Sequence, residues 1–493
     1  MKAVDKVKDF ESVGFVAVRR PDCAPFLMSL PFDWSSDPYN DFNWCFQLQT
    51  LRYLMVYLGA FEETKDEKYL NTLLEWVKDW WTSAKDNPSK FTWHDMAAGI
   101  RAEKLHRIKI SLRKSKIKSP VWFNEMLLEH VSVIRKKGFI RTNHNHGLYA
   151  AHGLRCLAEH IGPGMKKNII LRSHDLVEEI IKKQFDSNYV HKEHSPHYHH
   201  LVLKSLKEYK RTGLYDELQA LKQYIDGAEN IAEKLYLPDG REIPFGDTDN
   251  KITSEFLEID DKKKCIDLWC DSGYAIYKNG LSYLCVTNNY NSNVHKHWDN
   301  LSFIFGEKGQ DIFVDPGKYK YTKDEIREKV ISSDSHNTIN IDGFSWNQKS
   351  LIKESIALEG TLLSEKLSLI GCMSIKYNHK VVRFKRSLEY VTGLLRISDE
   401  VVKGEGGVAN VYSRFVLHKD AEIVEEKRDY ISIKINSINV KVKMHTVGCI
   451  SKDLGGSYVI EKIPVSYSYG SYFKSLSLKI YNRGLLNVDF HIE

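Results

Sequence analysis

Apolar residues in the first half of the chain recur at helical spacing. Phe46, Leu48, Leu51, Leu54, Met55 and Leu58 form one stripe, and Leu70, Leu73, Leu74, Val77 and Trp81 another. Between Ser119 and Gly138 the segment carries its own punctuation. Ser119 reads as a cap, Pro120 as the first turn and Gly138 as the stop, with Phe123, Met126, Leu127, Val131 and Ile134 as the apolar face. The same period predicts helices around 147–162, 171–183, 197–211 and 215–236. Amphipathic helices joined by short connections predict stacked helical hairpins.

Beyond the turn signal Pro238-Asp239-Gly240 the helical period fades and alternation takes over. Tyr274 and Ile276 lead through Asn279-Gly280, a hairpin turn, into Leu281, Tyr283 and Cys285. Ile431, Ile433 and Ile435 alternate, break at Asn436-Ser437, and resume at Ile438, Val440, Val442 and Met444. Leu476, Leu478 and Ile480 pass through Arg483-Gly484 to Val488, Phe490 and Ile492. Such strands are antiparallel and half-buried, and their number predicts a large sandwich. The fold class is therefore α+β multidomain, helices first and antiparallel strands second. The division is placed at 1–255 and 256–493, within a boundary zone of 245–270.

Composition narrows the class. A chain of 493 residues exceeds one ordinary core. The longest apolar stretch, Tyr53 to Phe61, is roughly half of what a membrane span needs, so no span is expected. Aromatics at 12% exclude a disordered chain. A net charge of +6 is diffuse and no nucleic-acid motif accompanies it, so no nucleic-acid partner is expected. The cysteines make no CxxC pair and read as free, mostly buried thiols. The opening MKAVDKVKDFESVGF shows no signal peptide, which predicts a cytoplasmic protein, or a periplasmic or secreted one after leader removal. The sequence assigns no oligomeric state. Histidine is in excess: there are 20.

Four polar clusters carry candidate chemistry: Thr142 to Gly147, Glu193 to His200, His295 to Asn300, and Asp315-Pro316-Gly317 with Ser335 to Thr338. Each has a plain structural reading. Asn and His cap helices, Ser-Pro starts them, and an isolated His is more often a bonded structural residue. Four such clusters in one chain weigh against that reading. His295 and His297 alternate, which predicts one face of a strand. His297, Asp315 and His336 offer two imidazoles and one carboxylate, a set suited to a divalent metal, zinc above all. The alternative is that Asp315 only caps the turn at Pro316-Gly317.

Taken together the motifs resemble the heparinase II/III-like polysaccharide lyases, a family that includes alginate lyases. The resemblance rests on Asn145-His146-Gly147, Glu193-x-Ser195-Pro196-x-Tyr198-His199, Gly246-Asp247, His295-x-His297-x-Asp299, Asp315-Pro316-Gly317 with Tyr319 and Tyr321, and His336-Asn337-Thr338. Trp93-His94-Asp95 with Arg101 is similar to the family's substrate-cleft segment, and the whole covers about 30–345. The resemblance implies an incomplete α/α toroid followed by an antiparallel β-sandwich. It implies β-elimination at a uronic acid of an anionic polysaccharide or oligosaccharide, and a structural metal, usually zinc, held by His297, Asp315 and His336. Asn145, supported by His146, would neutralise the uronate carboxylate. Tyr198 would be the acid, and also the base when proton and leaving group share a face. His295 would be the base for the opposite epimer. Arg101, His94, His199, Trp298 and Tyr321 are the candidate substrate-binding residues, with Lys104 and Arg141 as further cations. The doubled Asn143-His144-Asn145-His146 admits either asparagine, and Gly147 favours Asn145. Glycosaminoglycans are the leading substrates, alginate or a capsular or O-antigen uronan the alternative. The rival classes are a non-catalytic carbohydrate-binding protein, which would need neither Tyr198 nor His295, and a zinc hydrolase, for which HExxH is lacking.

Overall fold

The computed structural model describes residues 2–18, 20–250, 252, 265–402, 410–427, 430–445, 458–482 and 484–493. The chain packs as two units, Met1–Gln184 with Lys204–Ile225, and Phe185–Leu203 with Asp226–Glu493. The 255/256 boundary expected from sequence lies outside the described residues. Two helices, Pro196–Arg211 and Gln219–Ala232, run from one unit into the other. Among the described residues no helix is long and apolar enough to cross a membrane.

The first unit is helical. Glu67–Asp86, Val121–Ile134, Asn145–Leu157 and Pro163–Gln184 follow the helical periods read from sequence, and Asp95–Lys114 is a further helix. At Val121–Ile134 the N-cap is Pro120, and Ser119 bonds the Asn124 side chain instead of capping. The stripe from Phe46 to Leu58 does not make one helix. It breaks into Phe42–Leu48, a 3-10 turn Arg52–Leu54, and Met55–Thr64, with Leu51 left-handed at φ 54°. Arg101 explains the break. It is fully buried, and its guanidinium donates to the carbonyls of Gln49 (2.6 Å) and Thr92 (2.8 Å) and to His130 Nε2 (2.9 Å), 3.9 Å from the Trp80 ring. A buried cation takes a carbonyl that a continuous helix would have used. The expectation that Arg101 binds substrate is corrected here: it is a core residue with no face open to a sugar.

Helices Asp95–Lys114 and Asn145–Leu157 touch backbone to backbone. A Cβ on Gly99 would lie 2.3 Å from the Tyr149 carbonyl, and one on Gly153 2.5 Å from the Gly99 carbonyl. Only glycine permits this approach, and it sets the N-termini of both helices side by side.

The second unit holds three antiparallel sheets. Cys265–Trp269, Tyr274–Asn279, Ser282–Thr287, Ser302–Glu307 and Gln310–Phe313 form a meander. An eight-stranded sheet runs in the spatial order Ala421–Glu426, Tyr430–Ile435, Ile438–His445, Leu485–Ile492, Leu394–Val402, Lys380–Val391, Lys366–Tyr377, Leu351–Leu363. The third is Tyr458–Ser468, Ser471–Asn482, Val411–Val416 and Ile339–Ile341. The hairpins expected at Asn279-Gly280 and Asn436-Ser437 are present, with Asn436 at φ 53°. Arg483, in a third expected turn, and Cys449 lie outside the described residues. Cys23, Cys45, Cys156 and Cys285 are buried free thiols, as expected. Phe303, Phe313, Phe415, Leu478, Ile397 and Phe490 join the three sheets in one core.

One ion pair lies inside that core. Arg386 and Asp399, both 0% exposed, pair at 2.6 and 2.7 Å, and Arg386 also donates to the carbonyls of Leu301 (3.0 Å) and Asn337. Replacing Asp399 by Asn leaves the guanidinium buried without its counter-charge. The expected cost, measured by urea unfolding, is about 3–5 kcal/mol.

Candidate active site

In the helical unit, the packed helix starts gather one polar cluster. Asn145 is the first residue of its helix, buried, with His144 as the cap that accepts from the His146 amide (3.2 Å). Asn143 is exposed. Gly147 is required, because a Cβ there would meet the Arg141 carbonyl at 2.1 Å. Asp95 accepts from Arg141 through both oxygens (2.6 and 3.0 Å), and Arg141 also reaches His146 Nδ1 (2.8 Å). His94 and His146 lie 3.4 and 3.3 Å from Asp95 Oδ1. Burial raises the Asp95 carboxyl, but hydrogen bonds from His146 and Arg141 outweigh it and hold the group well below the usual carboxylate range.

In the β unit a second cluster forms where three backbone segments meet. Gly246 sits at φ 58°, and a Cβ there would strike the carbonyls of His194 (2.4 Å) and His295 (2.6 Å). His194 and His295 are themselves left-handed, at φ 60° and 55°, an uncommon conformation for non-glycine residues. His194 accepts from the Asn291 amide (2.8 Å) and donates to the Val294 carbonyl (3.3 Å), so it shapes the loop that presents His295. Burial pushes its imidazole down to about 3, which keeps the ring neutral.

On this frame the Tyr198 and His295 rings stack at 3.5 Å, 16° from parallel. The Tyr198 and Tyr321 hydroxyls are 2.7 Å apart. His295 Nδ1 is 3.0 Å from Asp247 Oδ2, and its Nε2 stands 3.6 Å from Glu193 Oε2. Asp247 Oδ1 bonds His297 Nε2 (3.0 Å) and Arg327 (2.7 Å). Burial raises the Asp247 carboxyl, but the Arg327 charge and the two imidazoles overcome this and hold it well below its ordinary value. His295 and His297 do not share a strand face. They lie on a loop and converge because one carboxylate bonds both.

His297, Asp315 and His336 are brought together: their donor atoms lie within 4.8 Å of one another. His297 Nδ1 and His336 Nε2 are buried with no protein partner, while the other nitrogen of each ring bonds a carboxylate. Two imidazole lone pairs and one carboxylate fit a divalent metal. Asp315 also caps its turn, accepting from the Gly317 amide (2.9 Å), so the structural reading and the ligand reading hold together.

One more expectation changes. His199 is 1% exposed, and its ring is spent on the His191 amide and the Ala228 carbonyl, so it supports the fold and does not face substrate. Trp298 is half-buried against Tyr290 and Trp346. His197 and His200, to which sequence assigned no role, both bond Glu242 (2.8 Å each). Arg327 gave no signal in the sequence. Asp247 and Glu193 stood in recognised motifs without a role, and the Gly-Asp step was the one local sign of a tight turn.

Comparison with known proteins completes the picture. Residues 15–271 match the sequence model of the heparinase II/III N-terminus, and 262–448 that of the heparinase II/III-like C-terminal region. The chain belongs to the heparinase II/III-like family. It is thereby a polysaccharide lyase by family. The crystal structure of heparinase III is similar at a TM-score of 0.76 and 15% identity, covering 99% of this chain and 84% of that one. Heparan sulfate lyase HepC from Pedobacter heparinus is similar at 0.68 and 16%, covering 99% and 82%. At these identities the likeness shows the fold, the toroid followed by the β-sandwich that the motifs implied. No curated protein sequence matches the chain.

One pH dependence follows from the histidine pair on Glu242. Burial raises this carboxyl, but hydrogen bonds from His197 and His200 lower it further, from 4.5 to about 2. A depressed carboxyl stabilises the fold above its unfolded value and loses that contribution as pH falls through its folded value. Glu242→Gln should therefore melt below the parent protein above pH 4.5, with the gap closing toward pH 2. Melting temperatures across that range check it.

Proposed function

We propose that this heparinase II/III-like protein cleaves a uronic acid-containing glycosaminoglycan, such as heparan sulfate, by β-elimination, leaving a 4,5-unsaturated uronate end. The observation that carries the reading is the Tyr198–His295 stack, a hydroxyl acid beside an imidazole base whose far nitrogen is held by Asp247. A binding module needs neither group in such contact.

The C5 proton of a uronate is weakly acidic while the neighbouring carboxylate is charged, so that charge must be met by donors. Asn145 and His146 take that role, with Arg141 and Asp95 holding the His146 ring. His295 Nε2 takes the C5 proton, and the Glu193 carboxylate beside it stabilises the charge formed on the ring. Tyr198 protonates the departing C4 oxygen, with Tyr321 as its hydrogen-bond partner. When proton and leaving group share a face, Tyr198 does both. Zinc held by His297, Asp315 and His336 would cross-link the segments that present the base. His94 in the helical unit and Tyr321 in the β unit are the proposed sugar-binding residues.

Incubation with heparin, heparan sulfate, hyaluronan, chondroitin sulfates and alginate should give UV-absorbing unsaturated ends on at least one. Cleavage that leaves only saturated non-reducing ends would refute elimination. Tyr198→Phe should keep the melting temperature and lose product formation by about 10²–10⁴-fold or more. Retained turnover would refute its assignment as the acid. Chelation should lower the melting temperature if the metal cross-link is present, and an unchanged melt and turnover would refute it.

A further inference from the structure

Resting on the reading above, we propose that Asp247 sets the tautomers of two imidazoles at once, and so makes one carboxylate the link between the metal ligand His297 and the base His295. Asp247 is 2% exposed. Its Oδ2 meets His295 Nδ1 and its Oδ1 meets His297 Nε2, both at 3.0 Å. Arg327 completes the charge balance at 2.7 Å, and is itself fixed by the Lys318 carbonyl (2.7 Å).

A carboxylate accepts hydrogen bonds and donates none. Each ring therefore turns an N–H toward Asp247, whose contact with His297 Nε2 at 3.0 Å is shorter than the 3.4 Å approach of Arg327 Nη1 to the same nitrogen. That places the remaining lone pairs on His295 Nε2, which the elimination needs for proton abstraction, and on His297 Nδ1, which a metal needs as ligand. An independent observation agrees: His297 Nδ1 is the buried nitrogen left without a protein partner. The backbone keeps the arrangement from relaxing. The Asp247 amide donates to the His295 carbonyl (3.2 Å), and Gly246 leaves no room for a side chain between the His194 and His295 carbonyls. Asp247 is a positioning residue, since it acts through the two rings and touches neither substrate nor metal.

The discriminating variant is Asp247→Asn. The amide keeps the shape but has one acceptor oxygen and one donor nitrogen, so it can satisfy only one of the two rings in its present tautomer. Three readouts use the full chain: imidazole ¹⁵N chemical shifts assigned with His295→Gln and His297→Gln, Zn²⁺ affinity by chelator competition, and kcat with KM. The parent protein should carry protons on His295 Nδ1 and His297 Nε2. Asp247→Asn should bind Zn²⁺ about 10–100-fold more weakly. At saturating Zn²⁺ its kcat should still be down by about 10²–10⁴-fold, with KM changed far less. Full recovery of kcat at saturating Zn²⁺ would overturn the proposal, since Asp247 would then act on the metal alone. So would unchanged Zn²⁺ affinity with a fallen kcat, or protons on the opposite nitrogens in the parent protein. The parent's ¹⁵N spectrum decides the matter even if Asp247→Asn fails to fold. It also separates the two readings: a parent protein without lyase activity on any uronan would sink the proposed function and leave the tautomers measurable.

Discussion

The candidate metal ligands and the loop that carries His295 in the β unit hang from one buried ion pair. Arg386 pairs with Asp399 and, from inside the core, holds the carbonyls of Leu301 and Asn337. Leu301 closes the loop that carries His295 and His297, and Asn337 follows His336. An ion pair taken out of water recovers its desolvation cost only with good geometry and additional hydrogen bonds. Here the additional bonds satisfy two carbonyls that lie off the strand ladders. Asn337 extends the clamp: its amide donates to the carbonyls of Phe303 (2.7 Å) and Val314 (3.0 Å), and its oxygen accepts from the Val416 amide (2.5 Å). Val314 precedes Asp315. The three segments that supply the candidate ligands are thus fastened to each other before any metal is considered.

That arrangement explains what was legible in the sequence. Helix periods, strand alternation and the hairpins at Asn279 and Asn436 are local and survive folding. The motif clusters were visible because caps and turns are built from neighbours in sequence. Arg101, Arg327, Arg386 and Asp247 were not assigned their roles, because a buried charge has meaning only through partners 9 to 85 residues away. Arg101 also shows how a long-range bond overrides periodicity, ending a helix that the apolar stripe would have continued. The pairing of His295 with His297 was read correctly as a shared environment and wrongly as a strand face.

The histidine excess acquires a similar explanation. His152 stacks on Tyr209 at 3.8 Å, His199 bonds backbone on both nitrogens, and His194 braces a loop. His197 and His200 share a carboxylate. Imidazole supplies a donor and an acceptor on one rigid ring, which suits it to satisfying buried backbone groups. Much of the excess is therefore scaffold.

Charge balance separates two groups that have the same composition. His94, Asp95 and His146 come as close together as His297, Asp315 and His336. In the first, Arg141 occupies both carboxylate oxygens, and its own side chain is 47% exposed. The anion there is already neutralised by a fixed cation, and what the group offers outward is guanidinium and imidazole. Such a surface favours a carboxylate ligand over a metal dication. In the second, all three residues are buried, the Asp315 oxygens meet an imidazole and a backbone amide, and two ring nitrogens are left with no partner. An anionic ligand without a fixed counter-cation, beside free imidazole lone pairs, is what a divalent metal requires. The same three residue types thus suit an anion in one place and a cation in the other, and the deciding residue is the arginine.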